Sequence, residues 1–406
     1  MKKSNIKILH VLIGMILAAS LFSCTPKPEL RALIVTGQNN HNVTNSTAAI
    51  ISILDKAEIF TVFIETSPGQ GRDMSGFIVD FTPFDVVVLN YTGDAWPEET
   101  RNNFVSYVEN GGGVVVVHAA NNAFPDWKEY NEIIGLGGWG DRDENSGPYV
   151  YVKDGEIIRD NSAGRGGNHG PQHEYVIEAF QPEHPIMKGL PAKWLHTKDE
   201  LYQELRGPAK NMEILATTFA AEEFNGTGRD EPALFTISYG NGRIFHTILG
   251  HAGGEDLFFP AMECAGFITT LQRGAEWAAT GKVSQRVPEE FPDETKSVRW
   301  KYFEPMDIGI ISEKIKEYEI GKSTSCFIAL KDFIAENSSN EVTIDEYHDM
   351  ILTILSSGSA SKEGKKVLLK EFSWMATEAY RSVYEKLISD EDIKNEALFA
   401  LEILEY

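Results

Sequence analysis

The chain has 406 residues, 42% hydrophobic and 11% aromatic, enough apolar material for two or three packed domains and too much for global disorder. Its formal net charge of −23 excludes a nucleic-acid partner, which needs clustered Lys and Arg, and suits a neutral or cationic small ligand.

In chain order, "MKKSNIK" is a basic n-region and "ILHVLIGMILAASLF" an apolar run too short for a comfortable membrane span. With Leu21-Phe22-Ser23-Cys24 they resemble a lipoprotein signal at residues 1–23, with Cys24 the lipidated first mature residue and 24–29 a tether. The expectation is an envelope protein, periplasmic or surface-exposed, that meets the membrane only through its anchor. Of three cysteines only Cys264 and Cys326 remain after Cys24, in separate regions, so a disulfide framework is not indicated.

From Leu30 the pattern alternates. "LRALIVT", "EIFTVFI", "FDVVVLNY" and "GVVVVHA" read as buried strands, and "TNSTAAIISILDKA" and "PEETRNNFVSYVEN" as the intervening helices. Short apolar strands alternating with amphipathic helices predict an α/β fold, a parallel sheet with helices on both faces. Residues 121–175 are rich in Gly, Asn and Asp, as in "GLGGWGDRDENSGP", and read as a long insertion of loops. "EYVIEAF" and "MEILATTF" restore strands, and "ALFTISY" and "GRIFHTIL" around Gly240-Asn241-Gly242 signal a hairpin. "PAMECAGFITTLQRGAEWAATG" looks like a closing helix. The domain spans 30–284, and 285–305 is a linker or a wrapping segment. Residues 306–406 form a small all-helical C-terminal region, a surface for a protein partner.

Four valines ending on an imidazole, "VVVVHAANN", point to the chemistry. In open α/β sheets ligands bind beyond the carboxyl ends of the strands. His118 sits at such an end, His41 follows the first strand, and His251 follows "FHTILG". "HTKDELYQEL" adds Asp199, Glu200 and Tyr202. One strand-end histidine is as often a packing residue as a ligand; three beside an acidic stretch favour a site. His246, inside a strand, reads as structural and His184 as a turn-packing residue, while His169 and His173 lie in the glycine-rich insertion. Trp96, Trp127 and Trp139 fall in or beside the rim loops, where indole faces stack on sugar rings, and Asn121 beyond His118 is a substrate-binding candidate. "NGGGVVVV" is no phosphate cradle, because its glycines leave a helix and enter a strand, so no nucleotide cofactor is expected. Neither a nucleophile-elbow serine motif nor a strand-end cysteine is present.

"FDVVVLNYTGD", "VSYVENGGGVVVVHAA", "HPIMKGLP", "DELYQEL" and "GRIFHTILGH", in that order, resemble the trehalose-utilisation (ThuA-like) family from about Leu30 to Val283. The resemblance implies a flavodoxin-like sheet similar to the class I glutamine amidotransferases. In those enzymes the strand matching "VVVVHAA" ends in a catalytic cysteine; His118 stands there instead, so amidotransferase chemistry does not transfer. It further implies carbohydrate catabolism, including cleavage of sugars oxidised at carbon 3, by a hydrolase or lyase. A ketone there acidifies the C2 hydrogen, and a Lewis acid stabilises the enolate. Histidines with one carboxylate suit Zn²⁺ or a similar divalent ion, which gives His41, His118, Glu200 and His251 as ligands, with Asp199 or Tyr202 as supporting group or proton carrier. The rivals are a non-catalytic carbohydrate-binding or assembly lipoprotein and a hydrolase of another small substrate.

Overall fold

The computed structural model describes residues 30–252, 260–300, 308–320, 322, 324–336 and 341–404. The signal segment, the tether and Cys24 lie outside the described residues.

Four strands open the sheet: β1 (Leu30–Thr36), β2 (Phe60–Thr66), β3 (Val86–Leu89) and β4 (Gly113–Val117). β3 and β4 are buried along their whole length, and β1 from Ala32 onward. That burial on both faces is why they read as continuous Val, Ile and Leu rather than as alternation. After β5 (Tyr149–Lys153) and β6 (Glu156–Asp160) come β7 (His173–Ala179), β8 (Lys193–Asp199), β9 (Met212–Phe219), β10 (Asp230–Tyr239) and β11 (Gly242–Thr247). The order is β2-β1-β3-β4-β11-β10-β9-β7-β8, with the β5–β6 hairpin off this path.

The expectation of a parallel sheet holds for one half only. β2, β1, β3, β4 and β11 run parallel, whereas β10, β9, β7 and β8 pair antiparallel. The reason is the connections. Helices Val43–Lys56 and Glu98–Glu109 return the chain for parallel pairing, but β10 reaches β11 by a tight turn that only antiparallel strands permit. Gly240 in that turn has φ +57°, and a Cβ there would stand 2.7 Å from the Glu109 backbone.

Helix Val43–Lys56 starts under an Asn42 cap, whose side chain accepts the Asn45 N–H. The Asn42 N–H in turn donates to the Ala252 carbonyl at 2.6 Å, joining the first rim loop to the loop after β11. The closing helix, Ala265–Thr280, packs on β4 and β11 and ends at Gly281 in the left-handed conformation.

Residues 121–175, expected as loops, hold helix Lys128–Ile134 and the β5–β6 hairpin. Two enclosed arginines replace regular pairing elsewhere in the insertion. Arg142 donates to the carbonyls of Asn122, Ala123, Gly138 and Trp139 and to Asn131 Oδ1. Arg206 donates to the carbonyls of Gly147, Ser162 and Gly164, its guanidinium 3.8 Å over the Tyr149 ring. The segment 285–300 lies along the domain, with Leu195 N–H donating to the Asp293 carbonyl and Trp300 N–H to that of Glu263. The helices of 308–404 enclose a separate core around Leu330, Ile354, Leu369 and Tyr384. Cys264 and Cys326 are buried free thiols. Among the described residues no helix is long and apolar enough to cross a membrane.

Candidate active site

β4 delivers Val117 and then turns into a short 3-10 segment, His118–Asn122, with His118 at φ +44°. A left-handed β-branch-free residue at this point projects its side chain upward from the sheet edge, the geometry of a nucleophile elbow carrying an imidazole. His118 Nδ1 lies 2.5 Å from the Ile248 carbonyl, which makes Nδ1–H the donor and leaves the lone pair on Nε2. His41 enters from the loop after β1, its Nδ1 facing Asn39 Oδ1 at 3.3 Å. His251 enters from the loop after β11, and Glu200 follows β8 directly.

Glu200 Oε2 is the meeting point, 3.6 Å from His41 Nε2, 3.8 Å from His118 Nε2 and 3.0 Å from His251 Nδ1. One ligand atom from each of these four residues lies within 4.8 Å of the other three. Yet His118 Nε2 and His251 Nδ1 make no hydrogen bond although both atoms are buried. The 3.0 Å contact to His251 is one of distance without hydrogen-bond geometry. Buried lone pairs converging without donors suit a cation, and three imidazoles with one carboxylate are a donor set for a divalent metal. The cluster is therefore able to hold a metal ion.

Electrostatics agree with the packing. Burial pushes the Glu200 carboxyl up, but contacts with His118, His251 and His41 outweigh it and hold it far below the usual carboxylate range. Burial, with the neighbouring imidazoles His118 and His251, lowers His41 against the pull of Glu200. Burial and then the Glu200 charge push the Tyr202 phenol well above its ordinary value, and its ring stacks on His118 at 4.0 Å. Asp199 is fully buried below the pocket, where its hydrogen bond from His196 outweighs burial and keeps it ionised. It supports the site from beneath and does not line it.

His41, Glu200 and His251 line a cavity of about 650 Å³ that also meets Asn39, Gln70, Asp94, Asn122, Trp139 and His169, while His118 is buried and reaches the cluster from outside that lining. Trp139 stands 4.6 Å from the Tyr202 ring and is the one predicted indole at the rim. Trp96 and Trp127, expected there too, are core residues with 2% and 8% exposure, packed with Phe81, Phe104 and Phe124. Asn121 is also displaced from the site: it is fully buried and its Nδ2 lies 3.2 Å from His246 Nε2, while its neighbour Asn122 faces the cavity. His246 and His184 are packing residues, the former bonded to the Ile134 carbonyl and the latter against Trp277. His173 stacks on Phe224. His169 is the addition. It lines the cavity, with Nδ1 3.9 Å from Glu200 Oε1 and 2.8 Å from the Gly170 carbonyl. Its place in a glycine-rich loop gave no periodicity to find it by; only the spacing "GGNHGPQH" marked it as a histidine within reach.

Fold and pocket together define an α/β protein with an imidazole–carboxylate site at the carboxyl edge of its sheet. The chain belongs to the trehalose-utilisation (ThuA) family, whose profile matches residues 31–278. It is 55% identical to a ThuA-like protein of known structure from Parabacteroides merdae, over 68% of this chain and 98% of that one, with a TM-score of 0.66. A ThuA-like protein from Bacteroides uniformis is 21% identical over 65% of this chain and 96% of its own, with a TM-score of 0.43. No curated protein matches the chain. Membership implies a role in the utilisation of trehalose or other carbohydrates.

Proposed function

We propose that this protein cleaves glycosides already oxidised to the 3-ketone, with a divalent ion such as Zn²⁺ held by His41, His118, Glu200 and His251. The observation that carries the reading is the convergence of those four residues, ligand atoms within 4.8 Å of one another, three of them lining a cavity of sugar size. The bound ion would supply Lewis acidity toward the ketone oxygen. Among the described residues the cavity lining contains no Lys or Arg, which favours an uncharged sugar over a sugar phosphate. Amides of Asn39, Asn40, Gln70 and Asn122 are there for hydroxyl groups, and Trp139 offers a face for a pyranose ring.

The reaction is a β-elimination. The C2 proton passes to a base, the C2–H electron pair forms the C1=C2 bond, and the C1–O bond breaks with its pair leaving on the aglycone oxygen. That oxygen takes up a proton, and water adds later to the enone. His169 suits the base: its Nδ1–H is engaged by the Gly170 carbonyl, which leaves Nε2 unprotonated in the neutral ring. Tyr202, kept protonated by burial and the Glu200 charge, is suited to donate to the departing oxygen. The test is incubation of the purified protein with a 3-keto disaccharide and with its unoxidised parent, alongside elemental analysis. Release of monosaccharide from the ketone only, with about one divalent ion per chain, is expected. Equal cleavage of both sugars, or of neither, defeats the reading. An envelope location through lipidated Cys24 belongs to the same proposal, and Cys24→Ala is expected to shift the protein out of membrane fractions.

A further inference from the structure

Below the pocket lies a polar pair that does not line it. β8 carries His196 and Asp199, both with 0% exposure. His196 Nε2–H donates to Asp199 Oδ2 at 2.7 Å, and the same oxygen accepts the Gly250 N–H at 2.9 Å. Asp199 Oδ1 accepts the N–H of Glu200 at 2.7 Å and of His251 at 3.1 Å. One carboxylate therefore grips the main chain of two of the four cluster residues, one from the end of β8 and one from the loop after β11. Between them Glu200 and His251 make the closest contact in the cluster, 3.0 Å.

Stability alone does not account for such a pair. A buried polar couple is often replaced by apolar residues of equal volume at little or no cost in folding, since desolvation offsets its attraction. The His196 ring also interacts with the buried Cys264 thiol, a weak partner in a dry core. What the pair does uniquely is fix a rotamer. Three backbone N–H groups converge on the Asp199 carboxylate, and the imidazole in line with Oδ2 sets the plane in which both oxygens present themselves. We propose that His196 and Asp199 are positioning residues, whose hydrogen bond locks the carboxylate that in turn sets Glu200 and His251 at ion-binding separation. The inference rests on the reading of the four-residue cluster as a metal site.

The experiment is a competition titration of Zn²⁺ against a chromophoric chelator, with the full chain, for wild type, His196→Phe, His196→Gln and Asp199→Asn. Cobalt-loaded samples add a spectroscopic signature of ligand geometry. His196→Phe keeps ring volume and removes the donor, and its Zn²⁺ affinity is expected to fall by roughly 10–100-fold with an altered cobalt band. His196→Gln restores an N–H near the Nε2 position and is expected to recover most of that loss. Asp199→Asn, with one acceptor fewer, is expected to fall with His196→Phe and serves if the phenylalanine variant does not fold. A His196→Phe protein with wild-type affinity and an unchanged cobalt spectrum overturns the proposal, as does a glutamine variant as weak as the phenylalanine one. If the wild type itself takes up no Zn²⁺, the metal reading fails separately, and crystal structures decide the positioning. A widened Glu200–His251 separation in His196→Phe supports it, and a retained one overturns it.

Discussion

The two halves of the sheet contribute to the pocket on unlike terms. The parallel half supplies His41 and His118 from loops after β1 and β4, strands sealed on both faces. The antiparallel half supplies Glu200 after β8, at the far end of the strand order, and Tyr202 beyond it. His251, after β11, stands where the halves join. Parallel strands bring their carboxyl ends to one edge by construction, so their histidines needed only a strand and a turn. The antiparallel half has no such guarantee. It reaches the pocket through an insertion tied down by Arg142 and Arg206 and through the Asp199 carboxylate. One half places residues by topology, the other by specific polar contacts.

The sharpest way to break that contrast is to remove one ligand from each half. His118→Ala and Glu200→Gln are each expected to lower kcat/KM on a 3-keto disaccharide by about a thousandfold or more, about 4 kcal/mol in transition-state stabilisation, with metal content lost. Steady-state kinetics with elemental analysis check this, and a strong effect in one half only dissolves the symmetry.

Next come the two indoles that the halves use differently. Trp96→Ala, in the core of the parallel half, is expected to cost about 3–5 kcal/mol of stability in denaturant melts, with activity per folded molecule retained.

Glu231 probes the antiparallel half alone. Its carboxyl, buried in β10 beside Thr227, is pushed by burial up to about 7, against 4.5 ordinarily. A raised acid binds its proton more tightly when folded, so its contribution to stability is fully present below the unfolded value and is lost as pH rises to about 7. Between those limits the folded state is expected to lose a few kcal/mol, and Glu231→Gln to flatten that slope in melts run across the range. An identical slope in the variant assigns the loss to another group.

Smallest is Trp139→Ala, at the rim. A rise in KM of about tenfold with little change in kcat, and a smaller loss of melting temperature than for Trp96→Ala, is the expected result, since the ring is half-buried against the core and stands against Tyr202 at the rim.

Legibility followed the same division. β1, β3 and β4 were readable because burial on both faces forces unbroken apolar runs, and the strand-end histidines came with them. Of the antiparallel pairing only the β10–β11 hairpin around Gly240-Asn241-Gly242 was readable, and the rest was not, since strands joined by irregular loops carry no mark of direction. Trp96 and Trp139 look alike as loop tryptophans, and only the surrounding Phe81, Tyr91 and Phe104 make the first a core residue. Asn121 and Asn122 are adjacent, and the choice between wall and core depends on a 3-10 turn with no sequence signature. His169 and the capture of carbonyls by Arg142 depend on contacts across the glycine-rich insertion, beyond the range of any periodicity.

The backbone at His118 has one more consequence. A side-chain-bearing residue held at φ +44° costs of order 1 kcal/mol that a glycine would not incur. His118→Gly is therefore expected to outlast His118→Ala on heating, the reverse of the usual ranking of those two residues, while both are equally inert. On the proposed function, selection for heat resistance alone, with the sugar withdrawn, would drift toward glycine at this position.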